Sequence, residues 1–130
     1  LPLELTLACP EGYDPDSRMF EESKKGGKGH VNLYRDPFDA AKNADVLYTD
    51  VWTSMGQEAE SQERKGIFKN YQINEKLLGV AKQDAIVMHC LPAHRGEEIT
   101  AGVIDGPQSV VIDEAENRLH VQKAVLEILI

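Results

Sequence analysis

The stretch AIVMHCLPAHRGEE, Ala85 to Glu98, runs four apolar residues into His89, Cys90, Leu91-Pro92, His94 and Arg95. Three chemistries could use such a set: a metal site, a nucleophilic thiol, or a pocket that orients a polar substrate. A zinc ion would need three or four ligands converging from His89, Cys90, His94 and Asp50. Adjacent residues at a strand end point to opposite sides, so His89 and Cys90 are badly placed to ligate together. There is also no C-x-x-C or H-E-x-x-H spacing, and no metal is expected. A thiolate pair could form between Cys90 and His94 or His89. However, no glycine-rich elbow presents the thiol, and Leu91-Pro92 makes a stiff extended turn suited to holding a carbonyl and a side chain still. Plainer roles stand beside these: a buried core thiol for Cys90, and loop positions for His94 and Arg95, with Arg95 bracing the site through a glutamate. For His89 a hydrogen-bonded structural imidazole is the favoured reading.

A second stretch, DVWTSMGQE, supports the polar-substrate pocket. Asp50 closes an apolar run, and Ser54, Met55 and Gly56 follow in a turn. A carboxylate that can accept from an ammonium, beside a small hydroxyl and backbone N–H groups, suits the two ends of an amino acid. Gly56 lets the loop bend, as a closing lid requires. Trp52 reads as packing, and the plain alternative for the loop is a long surface connection.

The elements that must position these residues alternate between strands and helices. LELTLAC alternates Leu3, Leu5, Leu7 and Cys9 against its other residues, as a strand with unequal faces does. Asp14-Pro15 and Asp36-Pro37 each read as a helix start, with Asp capping and Pro at the first helical position; Gly26-Gly27 ends the first helix. HVNLYRD and DVLYTDV are strands, and helical sequence runs from about Gln62 to Lys82. AIVMHC and SVVID are apolar throughout, as strands covered on both faces are. Asp113 with Glu116 resembles a capping box opening a final helix to Ile130. This order predicts an α/β fold, doubly wound, with a mainly parallel sheet flanked by helices. Ligands in such sheets bind beyond the strands' carboxyl ends, which here carry Cys9-Pro10-Glu11, Asp36, Asp50, His89-Cys90 and Asp113-Glu114. KKGGKGH lacks the Gly-Lys-Ser/Thr ending of a phosphate loop and reads as a solvated turn.

Composition narrows the class further. At 130 residues and 42% hydrophobic content the chain suits one modest core. Fourteen Lys and Arg against 22 Asp and Glu give a net charge of −8, which argues against nucleic acid or an anionic membrane as partner. No apolar run approaches the ~20 residues of a membrane span. Two cysteines are too few for a disulfide framework, so a cytoplasmic location is expected. Leu1 opens directly into a strand pattern and VQKAVLEILI stops in mid-helix, so both ends read as cuts in a longer polypeptide.

DVWTSMGQE and HCLPAHRGEEIT together resemble the two signature stretches of ornithine carbamoyltransferases; IDEAENRLHVQKAVL looks like their closing helix, and ACPEGYDPD like their second strand and turn. The resemblance covers essentially all 130 residues and implies a Rossmann-like second domain of a carbamoyltransferase. It implies carbamoyl transfer from carbamoyl phosphate to the δ-amine of L-ornithine, giving citrulline and phosphate, with no cofactor and no covalent intermediate. Carried over, Asp50 would orient ornithine's amino groups, and Ser54 and Met55 would hold its α-amino and carboxylate end. Cys90 and the Leu91 carbonyl would line the reacting centre, and Arg118 would reach carbamoyl phosphate. A homotrimer, or a multiple of trimers, is the family's expected assembly. The family's separate carbamoyl-phosphate domain has no counterpart in this sequence, so residues 1–130 are expected to be a partial ornithine-binding domain. The Gly-Asp-Gly-Asn-like strand that opens that domain is also missing; its place would be between LELTLAC and DVLYTDV, leaving two open strand edges. The chain alone is therefore expected to be weakly stable and inactive. Two alternatives remain: a non-catalytic amino-acid-binding module, or a relative with another amine acceptor.

Overall fold

A computed structural model describes residues 3–25, 29–53 and 58–130. Four strands, β1 (Glu4–Ala8), β2 (His30–Tyr34), β3 (Val46–Thr49) and β4 (Ile86–His89), form two parallel ladders, β1 with β2 and β3 with β4. Beyond β4, the chain at Ser109 adds a parallel bridge to Val87, through Val87 N–H to the Gln108 carbonyl (2.8 Å) and Val110 N–H to the Val87 carbonyl (3.0 Å). Parallel strands and intervening helices give the expected α/β architecture. Among the described residues no ladder bonds join β1 to β3, and the two strands border a common gap. A cavity of about 420 Å³ lies there, lined by Thr6 and Ala8 from one ladder and Val46 and Tyr48 from the other.

The helices are α1 (Ser17–Lys25), α2 (Pro37–Ala41), α3 (Glu58–Phe68), α4 (Glu75–Leu78), α5 (Ala101–Ile104) and α6 (Val111–Leu129). The Asp36-Pro37 start holds: Asp36 Oδ1 accepts from Phe38 N–H at 2.8 Å. The Asp14-Pro15 start does not. The helix opens at Ser17, Asp16 accepts from Met19 N–H (2.9 Å), and Asp14 instead pairs with Arg35. Gly26-Gly27, with Lys28 of the KKGGKGH turn, lie outside the described residues. The helical run expected over Gln62–Lys82 is broken after Phe68 by a 3-10 turn (Lys69–Tyr71) and by Ile73, which bridges Ile99. Asn74 then caps α4 through Lys76 and Leu77 N–H. SVVID gives a single bridge instead of a strand, because α6 has already begun at Val111. Asp113 and Glu116 form no capping box: Val110 holds the cap position with no side-chain bond, and Glu116 faces His120 at 3.5 Å.

The core sits on the β3–β4 side, where Leu47, Val87, Ile73, Leu77, Ile99 and Val103 are buried together. Neither β1 nor β2 contributes a buried residue. α6 is anchored by Val111 and is otherwise largely exposed, with Leu119, Val125 and Ile128 open to solvent.

Candidate functional site

The carboxyl ends of β3 and β4 deliver Asp50 and Cys90 side by side, because the two strands pair in register up to Thr49 and His89. Period-two alternation turns Tyr48 toward the same side as Asp50, and turns His89 inward while Cys90 faces out. His89 is fully buried and Cys90 is exposed, which corrects the reading of Cys90 as a core thiol. The Cys90 thiol lies close enough to Asp50 and Tyr48 for both to influence it. Partial desolvation of the sulfur raises its pKa, the Asp50 carboxylate raises it further, and the Tyr48 hydroxyl works against both. At neutral pH Cys90 is therefore a thiol beside Asp50, a poor nucleophile but a good positioning group. Asp50 also takes Val51 N–H on Oδ1 at 2.7 Å, leaving its other acceptor directions for the thiol and a ligand.

Tyr48 links this pair to α6. Its hydroxyl reaches Glu114 Oε1 at 3.3 Å as well as the Cys90 sulfur, and its pKa is pushed up to about 12, chiefly by desolvation and then by Cys90. Glu114 Oε2 accepts the His89 N–H at 3.1 Å. Arg118 stands one turn further along α6, exposed, on the face that Glu114 shares.

Behind the mouth, His89 holds the Leu91 turn as the imidazole reading expects. Leu91 N–H donates to His89 Nδ1 at 2.9 Å, so that nitrogen carries no proton and Nε2 donates to Glu98 Oε1 at 3.0 Å. Glu98 Oε1 also accepts His94 N–H at 2.6 Å. Leu91 has a φ of +52°, unfavourable for a branched residue, and this tie helps hold it there. Gly96, at φ +89°, supplies the turn that returns Glu98 to the interior.

Arg95 forms a bidentate pair with Asp105 (2.7 and 2.9 Å), not with a glutamate, and lies on the surface. The set weighed for a metal, His89, Cys90, His94 and Asp50, is not drawn together. Among the described residues His94, Glu97 and Glu98 are close enough to hold an ion, but Lys65 already occupies Glu97 at 2.7 Å. Trp52 packs against Phe68 (6.2 Å between rings), as expected. Ser54 and Met55 lie outside the described residues. Sequence reasoning gave no role to Tyr48 or Glu98, and it set Glu114, with Asp113, at a strand's carboxyl end, where the structure has the first turn of α6. Alternation back from Asp50 would have found Tyr48, but nothing local marks Glu98 or Glu114 as reaching β4.

Parallel strands flanked by helices, with Asp50 and Cys90 at adjacent carboxyl ends, define a doubly wound α/β domain. The match to known proteins is more specific. Residues 1–129 match the family model for the aspartate/ornithine carbamoyltransferase Asp/Orn binding domain. An ornithine carbamoyltransferase of Syntrophus aciditrophicus is 68% identical over 130 residues, all of this chain and 43% of the relative. The solved structure of ornithine carbamoyltransferase from Pyrococcus furiosus is 54% identical with a TM-score of 0.88, over 95% of this chain and 41% of that one. The anabolic ornithine carbamoyltransferase structure from Campylobacter jejuni has a TM-score of 0.89 at 37% identity, over 97% of this chain and 43% of that one. The chain belongs to the aspartate/ornithine carbamoyltransferase family. It spans about two fifths of the length of these relatives.

Proposed function

We propose that residues 1–130 form a partial ornithine-binding domain and supply the ornithine half of a carbamoyltransferase site, the carbamoyl-phosphate domain lying outside this chain. The reaction is transfer of the carbamoyl group of carbamoyl phosphate to the δ-amine of L-ornithine. The observation that carries this reading is the Asp50–Cys90 pair at adjacent strand ends. The δ-amine attacks the carbonyl carbon, the bond from that carbon to the phosphate oxygen breaks, and the proton lost by the amine leaves with the departing phosphate as citrulline forms. Asp50 orients ornithine's amino groups, Ser54 and Met55 hold its α end, and Cys90 with the Leu91 carbonyl aligns the amine. A thiol held protonated beside a carboxylate suits this direct attack, because it orients without competing as a nucleophile. Arg118 binds carbamoyl phosphate and stabilises the developing oxyanion, a role typically worth ~3–4 kcal/mol per donor. No cofactor is required by these steps. A place in arginine biosynthesis, a cytoplasmic setting and a homotrimer are part of the same proposal. They rest on the family resemblance alone. No helix among the described residues is long and apolar enough to cross a membrane.

The test is citrulline formation by the complete polypeptide that carries these residues, with putrescine, acetylornithine and aspartate as competing acceptors. Preference for ornithine is expected, and Asp50→Ala should cost about 1.5–3 kcal/mol in kcat/KM for ornithine, the usual worth of a charge-assisted hydrogen bond. Ornithine binding without turnover would leave a binding module. Preference for another amine would reassign the acceptor.

A further inference from the structure

We propose that Glu114 is a positioning residue that sets the tilt and rotation of α6, and with them the place of Arg118, against the Cys90 end of β4. This rests on the assignment of Arg118 to carbamoyl phosphate made above. α6 enters the fold without a side-chain cap, and beyond Val111 most of its surface is exposed. The backbone bonds of Gln108 and Val110 to Val87, with the apolar anchor of Val111, fix where the helix starts on the sheet. They leave its tilt and rotation beyond that point to side chains, since apolar contacts are non-directional. Glu114 supplies that direction. One carboxylate oxygen takes the His89 N–H at the last residue of β4, and the other takes the hydroxyl of Tyr48 from β3. A single side chain thereby ties α6 to two strands, at Tyr48 two residues before Asp50 and at His89 next to Cys90. Its acidic charge also suits the first turn, where the helix dipole is positive.

The consequence for transfer is geometric. Four residues on from Glu114, Arg118 projects from the same face one turn further along. A tilt or turn of the helix would move its guanidinium away from the amine-bearing centre, while Asp50, on a different strand, would keep its place. The two substrates should therefore respond differently when the tie is cut.

In the complete polypeptide, steady-state citrulline formation would be measured with each substrate varied in turn for Glu114→Ala, Glu114→Asp and Glu114→Gln. Glu114→Ala should lower kcat/KM for carbamoyl phosphate by about 100-fold, the scale of an ångström-sized misplacement, with KM for ornithine little changed. Glu114→Asp keeps the charge but loses reach and should behave like Glu114→Ala. Glu114→Gln keeps the reach and an acceptor for His89 N–H, and should recover to within about tenfold of the unsubstituted protein. Recovery by Glu114→Asp instead would make charge the operative property and overturn the proposal. Equal losses for both substrates, or lower melting temperature with unchanged kinetics, would overturn it too. If the unsubstituted protein makes no citrulline, the transferase reading itself fails. If it is active and Glu114→Ala is indifferent, this inference alone fails.

Discussion

At Cys90 the chemistry follows from which neighbours face the sulfur. Burial and the Asp50 carboxylate raise its pKa, whereas the Tyr48 hydroxyl lowers it. Since the thiolate is the reactive form, alkylation by iodoacetamide at neutral pH should be slow and should rise only above the ordinary thiol range. Asp50→Asn removes a raising influence, so the pKa falls and alkylation at fixed pH quickens. Tyr48→Phe removes a lowering one and slows it. A Cys9→Ser background isolates the Cys90 signal, and slower alkylation in Asp50→Asn would contradict this arrangement. Behind Cys90, Glu98 is fully buried and holds two donors, His89 Nε2–H and His94 N–H. Glu98→Ala strands both, at ~1–3 kcal/mol for each unsatisfied group, and denaturant unfolding should register a loss of at least about 2 kcal/mol. Asp50 and Cys90 were legible as ends of apolar runs. Glu98 was not, because it reaches the site only after the chain has turned through a loop; Glu114 was placed at the right edge but on a strand that is the start of α6.

Elements were legible where a local signal agreed with packing. Strand β2 and the Asp36-Pro37 start came directly from pattern, and both survive in the fold. The run after Trp52 misled, since helical composition continued through Lys82 while the fold required Ile73 beside Ile99. Ile73 N–H donates to the Glu98 carbonyl (2.8 Å) and Thr100 N–H returns to the Ile73 carbonyl (3.0 Å), so the helix must break there. The break is marked by Asn74, whose Oδ1 takes Lys76 and Leu77 N–H at 3.1 and 3.0 Å. Asn74→Ala should cost about 1 kcal/mol, visible as a lower urea midpoint, while Asn74→Asp keeps the acceptor and most of the stability. SVVID failed for a different reason. A short apolar run cannot be told from the buried start of a helix by periodicity, and Val111 is buried in the core as the first residue of α6.

For the molecule as a whole, the division into two ladders decides where its stability lies. In a parallel ladder alternate residues of a strand bond to alternate sides. His30 N–H bonds the Leu3 carbonyl and Cys9 N–H the Tyr34 carbonyl, so Leu3, Leu5, Leu7 and Cys9 face β2, leaving Glu4, Thr6 and Ala8 on the free edge. Ile86 N–H bonds the Asp45 carbonyl, so Leu47 and Thr49 face β4, leaving Val46 and Tyr48. The open edges anticipated from the sequence are therefore those of β1 and β3, and they border one cavity. Amide hydrogen exchange on the 130-residue chain should separate the two sets. Thr6, Ala8, Val46 and Tyr48 should exchange fast, and Leu47 and Val87, inside the paired and buried ladder, should be the slowest. Protection of Val46 and Tyr48 equal to that of Leu47 would mean that the edge is filled. If that protection grew with protein concentration, a second molecule would be filling it, as exposed edges invite. Concentration-independent protection would mean that the chain closes its own sheet and that the two-ladder arrangement is wrong. Fast exchange at the edges with slow exchange at Val87 would place the fold's stability on the half that carries Asp50 and Cys90, so that the site remains formed while the β1–β2 half opens.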